Sequence, residues 1–185
     1  MTSETGEVGD PNQARRWLIV GSSGSGKSTL SRKMGEILGL EVIHLDRNFW
    51  NSGWVETERP EWRKKVGELI EGDAWIMGGD YSGTIDIRLP RAQTAVLLDF
   101  PMWRCVWRVY KRSTIYRGAT RPDLPEGCPE QLPDRQFLWF VVSYPWRSRP
   151  KVLRLIAEHP HVSLVRLRSD REVEGFLEEL ARSQP

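Results

Sequence analysis

The stretch GSSGSGKST, residues 21–29, decides how this chain is read. It follows the apolar run WLIV (17–20) and precedes LSRKMGEIL (30–38), in which Leu30, Met34, Ile37 and Leu38 fall at i, i+4, i+7 and i+8. The first run reads as a buried strand and the second as one face of a helix, with Gly39 suited to its C-terminal end. Gly21, Gly26, Lys27 and Ser28 match the pattern G-x-x-x-x-G-K-[ST]. Glycines let the backbone wrap so that N–H groups point inward at phosphate oxygens, and the helix behind adds the positive end of its dipole. Lys27 is expected to reach the β- and γ-phosphates and Ser28 to coordinate Mg2+, with Ser22, Gly24, Ser25 and Thr29 completing the cradle. The pattern alone occurs by chance; between a strand and an amphipathic helix it predicts a bound nucleoside triphosphate. No N-K-x-D stretch is present to pair with guanine, so ATP is expected over GTP.

Outward from this loop, apolar runs and helical spacings alternate. Residues 41–45 read as a strand with Asp46 just past its end, and Trp62, Val66, Leu69 and Ile70 repeat the helical spacing. Residues 74–77 and 94–100 read as strands. Pro101 suits the first turn of a helix running to about Tyr116. Residues 117–133, rich in Pro and Gly, cannot form a regular element. Two helical stretches follow, about 135–143 and 150–158, with a break expected around Tyr144-Pro145. HVSLVRL (161–167) is a last strand, and SDRE (169–172) fits a capping box that opens a helix whose apolar face is Val173, Phe176, Leu177 and Leu180. Such alternation predicts a parallel sheet covered by helices on both faces, with ligands beyond the carboxyl ends of the strands.

The chain has 185 residues and a formal net charge of +2, which suits one domain and gives no case for a protein built around nucleic acid. The first 14 residues are polar, lack an apolar signal core and are expected to form a disordered tail; residues 15–185 are expected to form a single domain. No apolar run approaches the roughly 20 residues that span a membrane, and a cytoplasmic location is the default expectation. Cys105 and Cys128 lack zinc-site spacing and read as reduced thiols. The nine tryptophans read mostly as core, with a few available to line a pocket for a flat ligand.

Where the phosphate goes next depends on cations and carboxylates. Arg104, Arg108 and Arg112 are spaced by four and share one helical face, and Arg117 and Arg121 lie in the Pro/Gly-rich loop. Guanidinium groups on such a lid could clamp a triphosphate and exclude water. Arg112, Arg117 and Arg121 are the functional candidates; Arg104 and Lys111 read as solvated surface. Asp46 could hold Mg2+ through water or act as base toward an acceptor hydroxyl. Asp80 is a weaker candidate of the same kind, and Asp99 stands where a second metal-orienting carboxylate could stand if its strand neighbours that of the phosphate loop. His44 reads as a packed histidine.

Several blocks together are familiar: GSSGSGKSTL, VIHLDRNFW, WIMGGDYSGT, LLDFP, WRVYKR and TRPDLPEGCPE, in this order. Over roughly residues 17–157 they resemble the P-loop family of DNA topology modulation proteins, FlaR-like, themselves similar to adenylate kinases in plan. The resemblance implies a nucleoside monophosphate kinase-like fold with a five-stranded parallel core and a lid, about residues 113–133, between the fourth and fifth strands. It implies a nucleotide loop at residues 21–29, a strand-end aspartate at Asp46, an arginine pair at Arg108 and Arg112, and a lid arginine at Arg121. One departure stands out. The family pattern D-G-N-Y is here Gly78-Gly79-Asp80-Tyr81, so a glycine replaces a carboxylate and Asp80 stands where asparagine is usual.

The reading that follows is an α/β P-loop protein acting as an ATP-dependent phosphotransferase, with Mg2+ at Ser28 and Asp46. Its small acceptor, nucleotide or nucleoside-like, would lie between residues 46–54 and 79–88, with Asp80, Tyr81 and Arg88 as contacts. Trp50, Trp54 and Tyr81 could stack on a flat acceptor, and Arg88 could hold an acceptor phosphate. The alternatives are a slow ATPase and an ATP-binding regulator linked to DNA topology. For the latter a nucleic-acid partner is disfavoured by the mild charge but stays open.

Overall fold

The computed structural model describes residues 14–184. In chain order its elements are β1 (Arg16–Gly21), α1 (Lys27–Leu38), β2 (Val42–His44), α2 (Leu45–Phe49), β3 (Trp50–Asn51), β4 (Val55–Glu56), α3 (Arg59–Leu69), β5 (Trp75–Gly78), α4 (Ile85–Arg88), a 3-10 turn (Leu89–Arg91), β6 (Thr94–Leu98), α5 (Met102–Ile115), α6 (Arg135–Ala157), β7 (Ser163–Leu167) and α7 (Asp170–Arg182). Five strands form one sheet in the order β2-β5-β1-β6-β7, every pair parallel. The fold is α/β with a five-stranded parallel sheet flanked by helices, as the sequence predicts.

The centre of this sheet follows from the strand sequences. Trp17, Leu18, Ile19 and Val20 are each fully buried, as a strand covered on both faces must be. Alternate residues serve opposite faces. Leu18, Val20, Met77, Ala95 and Leu97 pack with Trp62 and Val66 of α3 and Val152 and Ile156 of α6. Trp17, Ile19, Ile76, Val96 and Leu98 pack with α1, α5 and α7 through Leu30, Met34, Cys105, Val109, Leu177 and Leu180. Each such fully buried aliphatic side chain contributes about 1.5–3 kcal/mol. Gly21 lies opposite Leu98, so the phosphate loop leaves the sheet at its middle, flanked by the ends of β5 and β6.

Several boundaries differ from expectation. The second strand ends at His44, and Leu45–Phe49 is a short helix, so Asp46 sits in a helical first turn. The two-stranded hairpin of β3 and β4 has no periodic signal at its length of two residues per strand. The break expected around Tyr144-Pro145 is absent: α6 is continuous through Pro145 and Pro150. A proline removes the bond to the carbonyl four residues back. At Pro145 that carbonyl belongs to Val141, and the Ser22 hydroxyl donates to it at 3.5 Å. Half of the expected capping box is present: Ser169 accepts from the Glu172 N–H, while the Glu172 carboxylate takes the N–H of Arg168 instead of that of Ser169. Of the expected tail, residues 1–13 lie outside the described residues, and Ala14 is buried. The cysteines are separate buried thiols.

The tryptophans depart most from expectation. Only Trp17, Trp62 and Trp75 are buried, whereas Trp103, Trp107, Trp139 and Trp146 are exposed on α5 and α6. Composition counts apolar residues without saying which helix face they occupy. Among the described residues, no helix is long and apolar enough to cross a membrane.

Candidate active site

The loop after β1 curls around the start of α1. Gly24 (φ 79°) could not be another residue: a Cβ there would lie 2.3 Å from the Cys105 carbonyl oxygen of α5. Lys27 Nζ donates to the Gly21 and Ser22 carbonyls, both at 2.8 Å, and so spans the mouth of the loop. Burial lowers its pKa, and the Asp46 and Asp80 carboxylates act in the opposite direction. Beside the loop lies a cavity of about 510 Å3, a volume suited to a small-molecule ligand. Residues 23–29, Asp46, Arg108, Arg112, Arg121 and Asp123 line it.

The segment after α5 folds over this cavity. Ser28 Oγ donates to Asp123 Oδ2 at 2.7 Å. Arg121 Nη1 reaches the same oxygen at 3.0 Å, and Arg121 Nε donates to Glu130 at 2.6 Å. The other oxygen of Glu130 accepts from Arg112 Nε at 2.9 Å and from the Ser113 hydroxyl at 3.1 Å. One buried carboxylate thus holds both arginines by their Nε atoms. The Nη groups of Arg112 make no protein hydrogen bond among the described residues, and Arg112 and Arg121 both line the cavity. Burial and the neighbouring Arg121 lower the Arg112 pKa, with Glu130 opposing. Burial alone would raise the Asp123 carboxyl, but Arg121 and Ser28 outweigh it and the pKa is lowered.

The tip of the same segment rests on the β3–β4 hairpin. The Gly53 N–H donates to the Gly127 carbonyl at 2.9 Å, and Trp54 Nε1 donates to the Pro129 carbonyl at 3.0 Å. Gly127 (φ 80°) permits this approach, since a Cβ there would lie 2.1 Å from the Ser52 hydroxyl. Trp54 itself holds a positive φ of 61°, rare for an aromatic residue and found where the surroundings enforce it.

At the strand ends, Tyr81 donates its hydroxyl to Asp46 Oδ1 at 2.7 Å. Burial, with the Asp46 charge, raises the Tyr81 pKa, so the phenol keeps its proton. Phe49, Trp50, Trp54, Trp62 and Tyr81 interlock with ring centroids 4.9–5.3 Å apart. Asp80 follows β5, next to β1, and the Tyr144 hydroxyl approaches it at 3.4 Å. Burial raises its pKa, opposed chiefly by Lys27. Asp99 follows β6, which also neighbours β1, but Arg149 and Arg166 claim its carboxylate, so it is not available to orient a metal. At Gly78 a Cβ would lie 2.7 Å from the Ser31 hydroxyl.

The structure brings Lys27, Ser28, Asp46, Arg112 and Arg121 to one cavity. Arg117 is exposed and does not line it. Arg88 is not placed to hold a ligand phosphate: it is 0 % exposed and donates to the carbonyls of Gly79, Asp80, Tyr81 and Thr84. Burial lowers its pKa to about 10, which still leaves it charged at neutral pH. Arg104 and Arg108 share the Asp170 carboxylate and lie over the Phe100 ring, and Arg108 also donates to the Ser25 carbonyl at 3.2 Å. Sequence reasoning assigned no role to Asp123, Glu130 or Tyr144. The first two stand within the TRPDLPEGCPE block, but nothing periodic marks a buried carboxylate in a loop.

No protein-family model matches the chain, and no curated protein matches it. Solved structures do. A shikimate kinase from Acinetobacter baumannii in complex with shikimate aligns with a TM-score of 0.57 at 16 % identity, covering 92 % of this chain and 93 % of that one. A shikimate kinase from Aquifex aeolicus aligns at 0.51 and 14 % identity, covering 91 % and 94 %. A deoxyadenosine kinase from M. mycoides with bound dATP aligns at 0.50 and 14 % identity, covering 90 % and 98 %. At these identities the likeness is one of fold alone. The resemblance to DNA topology modulation proteins gains no support from these comparisons.

Proposed function

We propose that the protein is an ATP-dependent phosphotransferase that moves the γ-phosphoryl group of ATP to a hydroxyl of a small acceptor. The observation that carries this reading is the gathering of these groups on one cavity. The phosphate loop with Lys27, the Arg112 and Arg121 side chains tied together by Glu130, and Asp46 all line it. Phosphoryl transfer asks a protein mainly for positioning and for cations around the transferring group. The loop N–H groups and Lys27 would hold the phosphates, and the Nη groups of Arg112 and Arg121 would neutralise charge on the departing ADP side. The acceptor oxygen bonds to the γ-phosphorus as the bond to the β,γ-bridging oxygen breaks; ADP leaves, and the hydroxyl proton passes to Asp46. Tyr81 occupies one Asp46 oxygen and leaves the other for that proton.

The donors present fit Mg2+. Ser28, Asp46, Asp80 and Asp123 offer only oxygen, the ligand a hard cation takes. Among the described residues no group of three or more His, Cys, Asp or Glu is arranged to hold a metal. That agrees with an ion held mainly by phosphates and water, with one or two protein oxygens. Ser28 would bind it directly and Asp46 through water; bound, it would screen the phosphate charge.

Transfer of label from γ-labelled ATP to an acceptor, abolished in Lys27→Ala, tests the proposal. Label found only in free phosphate would favour the slow ATPase instead.

A further inference from the structure

We infer that the acceptor is an uncharged hydroxyl compound of the nucleoside or sugar class, with no phosphate or carboxylate group of its own. This rests on the phosphotransferase reading and names the substrate class of that site.

The cations around the acceptor side, between residues 46–54 and 79–88, are already committed elsewhere. Arg88 is the one that sequence would assign to an acceptor phosphate. Its guanidinium is sealed in the core with four hydrogen bonds to backbone carbonyls, at 2.6–3.3 Å. Arg63 is forked onto Asp86 and the Gly83 carbonyl, and Lys65 is bound to the Asn48 carbonyl. Arg47 is exposed and does not line the cavity, and Arg32 reaches only its solvent rim. Of the backbone donors on that side, the Gly79 N–H serves the Ile19 carbonyl and the Thr84 N–H serves that of Tyr81. Of the other cations that line the cavity, Arg108 is held by Asp170 and the Ser25 carbonyl and Lys33 is exposed, which leaves Lys27, Arg112 and Arg121 for the charge of a triphosphate.

What faces the acceptor is instead acidic and aromatic. Asp46 lines the cavity, Asp80 follows β5 close to Lys27, and Asp123 closes over Ser28. A second anion would enter beside carboxylates with no free buried cation to meet it, and like charges brought together cost binding. The rings of Trp50, Trp54 and Tyr81, set edge-to-face or tilted around Phe49 and beside the Tyr81–Asp46 pair, form an apolar surface with one polar edge. Such a surface would meet a base or the apolar face of a sugar and leave a carboxylate for its hydroxyl.

The test uses the full chain, Mg2+ and γ-labelled ATP, with matched pairs of acceptors: nucleosides against their 5′-monophosphates, and neutral sugars against their sugar phosphates. The expected result is label in at least one uncharged member, with kcat/KM at least about tenfold above that of its phosphorylated partner. Equal or greater transfer to a monophosphate or sugar phosphate overturns this inference and leaves the phosphotransferase reading standing. Label in free phosphate alone overturns both.

Discussion

Asp123 accepts a 2.7 Å hydrogen bond from Ser28, 95 residues away in sequence. The bond joins the segment after α5 to the hydroxyl that the phosphate loop would offer to a metal. A carboxylate at that point repels a bare triphosphate and attracts a hydrated cation. Asp123→Asn should therefore act in opposite directions. ATP binding measured calorimetrically in EDTA should tighten, and the Mg2+ concentration for half-maximal binding should rise about tenfold, the low end for an outer-shell partner. Equal weakening in both conditions would make Asp123 a packing residue.

Glu130 holds Arg112 and Arg121 through their Nε atoms, and its side chain is only 4 % exposed. Without it the two guanidinium groups repel each other and lose their common anchor. Glu130→Ala should weaken ATP binding at least tenfold, since charge-assisted bonds contribute about 1.5–3 kcal/mol each. It should also speed proteolysis within residues 117–133. Glu130→Gln should recover part of the affinity. Unchanged affinity and protection would remove Glu130 from the account.

Arg88 is a structural residue on this account. Arg88→Met leaves four carbonyls without their donor and should cost about 3 kcal/mol or more in urea unfolding. Arg88→Lys should not rescue it, because an ammonium cannot reach four carbonyls spread around a planar fork. A stable Arg88→Met protein with a selectively raised acceptor KM would restore Arg88 to the binding site.

The acid side of the stability profile should carry an Asp99 signature. Burial alone would raise its pKa, but Arg166 and Arg149 outweigh this and the folded value is lowered. The folded state therefore favours the ionised carboxylate. The stability it adds is complete above the ordinary carboxyl pKa of about 3.9 and is lost as pH falls through the lowered folded value. Tm of Asp99→Asn should lie below wild type at pH 7, and the gap should narrow below about pH 4.

The strand, phosphate loop and first helix are legible in sequence because period and motif coincide at residues 17–38. The sheet order follows less directly, from alternation and from apolar strands that need cover on both faces. What stays hidden has physical reasons. α6 runs on through Pro145, and the Val141 carbonyl freed there takes the Ser22 hydroxyl, a partner 119 residues away in sequence. Arg88 reads as a ligand because sequence shows a charge and not the four carbonyls around it. Asp123 and Glu130 act through pairings across a loop without periodicity. Asp99 meets the adjacency expected of a metal-orienting carboxylate and is still excluded by two arginines that lie 50 and 67 residues further along.

The proposed phosphoryl transfer takes place in the cavity lined by the phosphate loop, Arg112 and Arg121. Its most direct test is γ-labelled ATP with Mg2+ and a panel of hydroxyl acceptors, for wild type and Lys27→Ala in parallel. Label should be covalently bound to an acceptor in the wild type and absent in Lys27→Ala. Label confined to free phosphate, or ATP bound tightly with no turnover across the panel, would contradict it.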